Sequence, residues 1–420
     1  MRRSLALLVA MSALIAGLYG VRAVLSAPPP PAPGIDPVEL ERRIEFFAGR
    51  DPDPLNLSIL GQLYLHRARS GYRVDDYVNA RHALTRAAEV WADPATLTAL
   101  ANSHLALHEF AEASTAAESA LAVERAEGAL AALADAELAL GDYSAADDLL
   151  NDLARRIPAD PAYLVRRAQL SFLTGDVETA ADLASRAAET SVSIGQTLTD
   201  QVLYLMSAGH FEFARGALRG AEGHLRHALD LDDRHPGALL ELGRVQAARG
   251  DLEGAVRLVE RSVALVPEPT SLAFLGDLYL AQGERELAEM QYATIDAIRA
   301  VDSTAYRLPV AMAYASRGIN TGTAVSLAAA ELENRTDPVT WHVYALALYG
   351  DGRVDEAYAA LHKALGPADA SLLYHAGVIA AANGAIDEAI GYLETALRLN
   401  PEFHPIDADD ARRLLEELGG

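Results

Sequence analysis

The chain of 420 residues contains no cysteine and only one lysine, Lys363. The lack of cysteine excludes disulfides, thiolate catalysis and cysteine-ligated metal sites. A phosphate-loop or Schiff-base lysine would have to be Lys363, and the surrounding Leu361–Leu365 segment matches neither pattern. Aromatic residues make up only 6% of the chain, although hydrophobic residues make up 51%. The apolar content is therefore mainly alanine and leucine, which favours closely packed helices over sheets.

Positive charge is also scarce. Lysine and arginine together number 35 against 59 aspartates and glutamates, which gives a formal net charge of −24. Proteins that bind nucleic acid gain affinity by neutralising phosphates with basic side chains, and this chain would mostly repel them. The composition therefore predicts no nucleic-acid partner, whereas basic partners stay compatible with it.

The N-terminus has the features of a targeting segment. Arg2 and Arg3 precede an uncharged run from Leu5 to Val21, and residues 28–35 form a proline-rich linker. A helix over this run would span about 25 Å, slightly less than a bilayer core of roughly 30 Å. Residues 1–27 fit both a cleaved signal peptide and an uncleaved membrane anchor. The basic end should stay in the cytoplasm, so we expect the body outside it, in a bacterial periplasm or cell envelope.

One pattern organises the rest of the chain. In its clearest copy Leu242-Gly243 is followed by Gly250, Ala255 and Pro267. The small residue at the Gly243 position recurs at intervals of 32 to 35 residues, with two longer intervals of 40 and 41 residues. The ten copies of this marker are Gly61, Ala101, Ala134, Ala168, Gly209, Gly243, Gly276, Ala311, Ala345 and Gly377.

This pattern resembles the tetratricopeptide repeat, in which each copy is a hairpin of helices A and B. The resemblance implies an all-α, right-handed superhelical solenoid of about ten hairpins over residues 55–401. Helices over 36–50 and 405–420 are expected to cap its ends, because the terminal hairpins of a solenoid otherwise expose apolar faces. The two longer intervals come from extra residues at 70–76 and 191–199, where the register is less regular.

Helix boundaries are also marked in the sequence. Several A helices should begin at Asp-Pro pairs, because the aspartate caps free N–H groups and proline fits the first turn. Glycines should end them. The pairs are Asp53-Pro54, Asp93-Pro94, Asp160-Pro161 and Asp337-Pro338, and the turns are Gly141-Asp142, Gly175-Asp176 and Gly250-Asp251.

No residue pattern indicates catalysis. His104 and His108 share one face of a helix, but a zinc-protease motif is absent. In the repeat register His104 takes a packing position and His108 the turn. Phosphate-loop, dinucleotide and nucleophile-elbow motifs are missing as well. We therefore expect no enzyme activity, no cofactor and no metal.

The resemblance implies a concave groove, lined by the A helices, that holds a peptide or partner helix. Its side chains here are mostly apolar, so an apolar or amphipathic protein segment is the expected partner. We expect these side chains to contribute little to packing between hairpins; the alternative is that they only fill gaps there. The implied groove residues are Val165, Gln169, Phe172, Leu173, Met206, His210, Phe213, Leu240, Arg244, Asp277, Leu280, Leu308, Met312, His342, Leu346, Tyr349, Tyr374 and Val378.

Three functions are compatible with these features. The leading hypothesis is an extracytoplasmic scaffold, adaptor or assembly factor that contacts the membrane only through its N-terminal segment. A second hypothesis is a permanent structural subunit of a membrane or cell-envelope complex. A metal-binding or enzymatic protein is the third.

Overall fold

The computed structural model describes residues 35–71, 73–301 and 306–419, and in these ranges it contains 22 α-helices and no strand. The predicted targeting segment and almost all of the linker lie outside them. The first half comprises α1 Pro37–Ala48, α2 Pro54–Gly71, α3 Val74–Ala88, α4 Pro94–Ala106, α5 Phe110–Val123, α6 Glu127–Leu140, α7 Tyr143–Arg156, α8 Pro161–Leu173, α9 Val177–Ser193, α10 Leu198–Ala214 and α11 Leu218–Leu231. The second half comprises α12 Pro236–Ala248, α13 Leu252–Leu265, α14 Pro269–Ala281, α15 Arg285–Val301, α16 Arg307–Arg317, α17 Thr321–Leu332, α18 Pro338–Gly350, α19 Val354–Ala364, α20 Ala370–Asn383, α21 Ile386–Leu399 and α22 Asp407–Glu417.

The predicted all-α solenoid is confirmed. Helices α2 to α21 form ten antiparallel hairpins in chain order, with the even-numbered helices as A and the odd-numbered helices as B. Helices α1 and α22 pack on the two ends of this stack. The apolar surface of each hairpin is therefore buried against its neighbours along the chain, as expected of a solenoid.

Small residues let the two helices of each hairpin approach closely. A Cβ atom added to Gly61 would lie 2.4 Å from Cγ of Leu84, and one added to Gly209 would lie 2.5 Å from Cγ of Leu225. No side chain fits at such distances. The five alanine markers are equally enclosed, since Ala101, Ala134, Ala168, Ala311 and Ala345 are fully buried.

The predicted helix ends are confirmed. Asp93 and Asp160 accept hydrogen bonds from main-chain N–H groups in the first turns of α4 and α8, directly before the proline. His108 occupies the turn between α4 and α5 with a φ of 60°. The two irregular stretches lengthen helices instead of forming long loops, because α2 has 18 residues and α9 has 17.

The stack winds so tightly that its second turn contacts its first. The loop before α20 meets the turn after α8, where the N–H group of Ala368 donates to the carbonyl oxygen of Phe172 at 2.9 Å. The loop after α21 meets the turn after α10, where Nδ2 of Asn400 donates to the carbonyl oxygen of Phe213 at 2.8 Å. The concave side of the stack is therefore enclosed by the chain itself.

Close main-chain contacts extend this line. A Cβ atom on Gly141 would lie 3.1 Å from Cα of Asp337, and one on Gly216 would lie 2.8 Å from the carbonyl oxygen of Leu399. We call the line of contacts between the two turns the seam. Its members are Gly141 with Asp337, Phe172 with Ala368, Gly175 with Gly366, Phe213 with Asn400, and Gly216 with Leu399.

Candidate partner-binding cavity

The concave side contains a cavity of about 410 Å³. Six consecutive A helices, α8 to α18, each direct at least one predicted groove residue into it. These residues are Phe172, His210, Phe213, Arg244, Asp277, Leu308, Met312 and His342. Side chains that are distant in sequence thus share one wall of the cavity.

The other ten predicted groove residues do not line the cavity. Leu173, Leu240 and Leu346 are only 7%, 8% and 4% exposed and pack in the hydrophobic core between helices. The expectation that they face a groove needs correction, because tight winding presses neighbouring A helices together and covers these positions. The remaining seven are half-buried on the A helices outside the cavity: Val165, Gln169, Met206, Leu280, Tyr349, Tyr374 and Val378.

Phe172 also differs from the expectation that groove residues contribute little to packing. Its side chain is 7% exposed, and its ring lies 5.5 Å from that of Phe211 and 6.0 Å from that of His210. Phe213, by contrast, is half-buried. The cavity wall is thus partly core and partly accessible surface.

The far wall consists of residues that the repeat register did not predict. They belong to the loops and helix ends that the seam brings across the concave side. The members of this wall with polar side chains are Asp369, Ser371, His375, Asn400, His404 and Asp407. The only sequence signal for them is a polar residue in an otherwise apolar helix, as at His375 in α20.

An arginine between two aspartates joins the two walls. Nε of Arg317 donates to Asp277 at 2.6 Å, and its Nη1 donates to Asp407 at 3.0 Å. Nε2 of His404 lies 3.2 Å from Oδ2 of Asp277, and the hydroxyl of Tyr292 donates to Oδ1 of Asp277 at 2.7 Å. Burial acts to raise the pKa of Asp277, but the hydrogen bond from His404 and the charge of Arg317 outweigh it and lower that pKa to about 2.

Two buried histidines lie beside this cluster. Nε2 of His342 and Nδ1 of His375 are 2.9 Å apart, so one imidazole donates a hydrogen bond to the other. Each residue is only 5% exposed. Burial lowers the pKa of His342 to about 4 and holds that of His375 well below its ordinary value. The pair is therefore neutral at pH 7.

The cavity reaches solvent at His210, whose side chain is 40% exposed. Its Nδ1 lies 3.5 Å from Oε2 of Glu241, and Arg244 lies 3.6 Å from the same carboxylate. Burial acts to lower the pKa of His210, but Glu241 raises it overall. The guanidinium carbon of Arg244 lies 5.5 Å from the centre of the Phe274 ring, an arrangement typical of a cation–π contact. This mouth combines charged and aromatic groups.

In the part of the chain that the structure describes, the histidines and acidic side chains do not cluster as metal ligands. Within the described ranges, no group of three or more histidine or acidic side chains is arranged to hold a metal ion. Nδ1 of His104 instead lies 2.6 Å from Oε2 of Glu109. None of the helices described in the structure is long and apolar enough to cross a membrane.

The repeat geometry agrees with the comparison to known families. A tetratricopeptide repeat family model matches residues 131–192, 200–268 and 343–402. The chain is a tetratricopeptide repeat (TPR) protein. TPR proteins bind protein partners, and the fold is that of an interaction scaffold.

More distant similarities concern individual proteins. The BBSome complex member BBS4 of Bos taurus is 24% identical over 217 residues, which span 47% of this TPR protein and 40% of the relative. Yeast Tom70 is 14% identical, with a TM-score of 0.34 over 87% of this chain and 95% of that one. Pseudomonas aeruginosa pilF is 15% identical, with a TM-score of 0.40 over 50% of this chain and 93% of that one. No functional conclusion follows from similarities at this level.

Proposed function

We propose that this TPR protein is an extracytoplasmic scaffold that holds a segment of a partner protein in its central cavity. The observation that carries the proposal is the convergence of side chains from six consecutive A helices on one cavity that reaches solvent. A volume of about 410 Å³ lies within the range of ligand-binding pockets in proteins. It accommodates a few side chains of a partner segment, not a whole helix.

The cavity wall includes apolar side chains that are partly accessible. Phe213 and Met312 line the cavity and are half-buried, and both side chains gain contact when a partner covers them. Each apolar side chain that becomes buried contributes about 1.5–3 kcal/mol.

Site-specific crosslinking tests the cavity. A photoreactive phenylalanine analogue at position 213 should crosslink a partner in native membrane and envelope extracts. The matched control carries the same analogue at Arg257, whose side chain is 67% exposed on helix B of its hairpin. Crosslinking at 257 but not at 213 would place the partner on the outer face and contradict the proposal.

The extracytoplasmic location rests on the N-terminal sequence. Arg2 and Arg3, the uncharged run from Leu5 to Val21 and the proline-rich linker support export with the body outside the cytoplasm. Protease added to spheroplasts that express the full chain should digest the body. Protection in spheroplasts, followed by digestion after lysis, would reverse the topology.

A further inference from the structure

The charges around the cavity are unevenly paired. Each arginine in its wall already has a carboxylate partner: Arg317 contacts Asp277 and Asp407, Arg335 contacts Glu331 at 3.0 Å, and Arg244 lies near Glu241. Asp369 also lines the cavity, but no arginine or lysine of the described ranges forms an ion pair with it. Asp369 is therefore the one carboxylate of the cavity wall that forms no ion pair with an arginine or lysine of the described ranges.

Asp369 is fixed in place by the helix that follows it. It caps α20, and its Oδ1 accepts a hydrogen bond from the N–H group of Leu372 at 2.8 Å. Its Oδ2 accepts no hydrogen bond from the residues described in the structure. Asp369 lines the cavity together with His210 and His342, and its charge acts to raise the pKa values of both histidines. A half-buried carboxylate in this setting stabilises a cation brought near it.

The buried histidine pair is an independent second feature. The hydrogen bond between His342 and His375 uses one nitrogen of each ring, and the other two nitrogens have no hydrogen-bond partner among the described residues. Both rings line the cavity and are 5% exposed. In either tautomer of the neutral pair, one of the free nitrogens is an acceptor and the other is an N–H donor. The cavity thus presents a neutral acceptor and an unpaired carboxylate to an occupant.

We propose that the cavity receives a basic side chain, arginine or lysine, of the partner segment. This inference rests on the proposed function. Asp369 is the counter-ion of the cation, one imidazole of the His342–His375 pair accepts a hydrogen bond from it, and Phe213 packs against its alkyl stem. An acidic side chain would meet the unpaired carboxylate of Asp369 instead and is disfavoured.

Two small probes test the charge preference without a partner. n-Butylguanidinium copies an arginine side chain, and n-butylurea is its neutral isostere. Titration calorimetry of the full chain should show tighter binding of the cation by about tenfold, as for a charge-assisted hydrogen bond. Equal binding of the two probes, or tighter binding of the urea, would overturn the inference.

Two matched variants locate the site. Asp369→Asn removes the charge and keeps a good helix cap. Asp251→Asn makes the same change at the cap of α13, outside the cavity, where Asp251 accepts from the N–H group of Gly254 at 2.8 Å. The preference for the cation should disappear in Asp369→Asn and persist in Asp251→Asn. A preference that survives Asp369→Asn would contradict the assignment, and Asp369→Ser provides a second capped variant if the first does not fold.

The outcomes separate this inference from the proposed function. If position 213 crosslinks a partner but the two probes bind equally, the proposed scaffold function is supported and the inference of a basic partner side chain is rejected. If the chain prefers n-butylguanidinium but position 213 does not crosslink a partner, the cavity binds a cation but the proposed scaffold function is contradicted. The inference about a partner side chain then fails as well.

Discussion

The side-chain amide of Asn400 donates to the carbonyl oxygen of Phe213 at 2.8 Å, across 187 residues of sequence. Asn400 is only 1% exposed, so this hydrogen bond is made away from solvent, where an unpaired amide is costly. It belongs to the seam that converts an open groove into an enclosed cavity. The seam therefore forms part of the wall of the proposed binding site, where Asn400 lines the cavity.

The seam can be tested with two glycines of matched backbone conformation. Gly216 and Gly250 both end A helices with positive φ, 77° and 84°, so alanine costs about 1–2 kcal/mol of strain at either position. A Cβ on Gly216 would also lie 2.8 Å from the carbonyl oxygen of Leu399, whereas one on Gly250 meets nothing within 4 Å. In urea unfolding, Gly216→Ala should therefore lose on the order of 1–3 kcal/mol more than Gly250→Ala. If both variants lose the same free energy of unfolding, the seam contact at position 216 contributes nothing to stability.

A second prediction concerns the arginine that joins the two walls. Arg317→Met leaves Asp277 and Asp407, which are 6% and 5% exposed, without their guanidinium partner. Breaking a buried ion pair in this way typically costs about 3–5 kcal/mol. Urea unfolding should show this loss at pH 7, and the added change Asp407→Asn should restore part of it. Arg257→Met, at an exposed position, should unfold like the unmodified chain; a similar loss there would contradict the explanation.

The buried histidines predict a loss of stability in mild acid. The unfolded chain protonates His342 near the ordinary pKa of 6.5, whereas the folded chain resists protonation down to a pKa of about 4. Between these values the unfolded state binds more protons, so the free energy of unfolding falls as the pH falls. For His342 alone, the free energy of unfolding changes by about 3 kcal/mol over this range. The stabilising contribution of the neutral imidazole is complete above pH 6.5 and is lost below pH 4.

A variant and a control isolate this effect. His342→Gln stays neutral at every pH and should flatten the decline in unfolding free energy between pH 6.5 and pH 4, measured by urea titration at several pH values. His227→Gln, at an exposed position, should leave the decline unchanged. Asp277 and Glu241 change the free energy of unfolding at lower pH, because the pKa values of these carboxylates are about 2. If both histidine variants behave alike, the decline has another origin.

The hairpins could be predicted from the sequence because their determinants are local. A small residue such as Gly209 and the opposing Leu225 lie in one hairpin, and the cap and turn residues act within a few positions of themselves. The ten hairpins and the two end helices follow from that spacing. Eight cavity residues on the A helices follow from the same register.

The seam could not be predicted in this way. Contacts such as that between Ala368 and Phe172 depend on the rotation from each repeat to the next, summed over about six repeats. Small changes in each step, and the lengthened helix α9, shift this summed rotation. The register of the repeats therefore does not predict Asp369 and Asp407 in the cavity wall.

Two of the phenylalanines in the cavity wall, Phe172 and Phe213, should respond differently to an added charge. Phe172→Asp places a carboxylate at a position that is 7% exposed and packed against Phe211, and burying an unpaired charge there should unfold the surrounding hairpins. Phe213 is half-buried in the cavity wall, so Phe213→Asp should keep the helical circular dichroism spectrum and abolish capture of the partner. Arg257→Ala is the suitable control, because its side chain is 67% exposed and its nearest carboxylate lies 3.8 Å away. Glu260 is less suitable as a control, since it accepts a hydrogen bond from the hydroxyl of Tyr279 at 2.7 Å. Partner capture that survives Phe213→Asp but not Arg257→Ala would move the binding site from the cavity to the outer face of the hairpins.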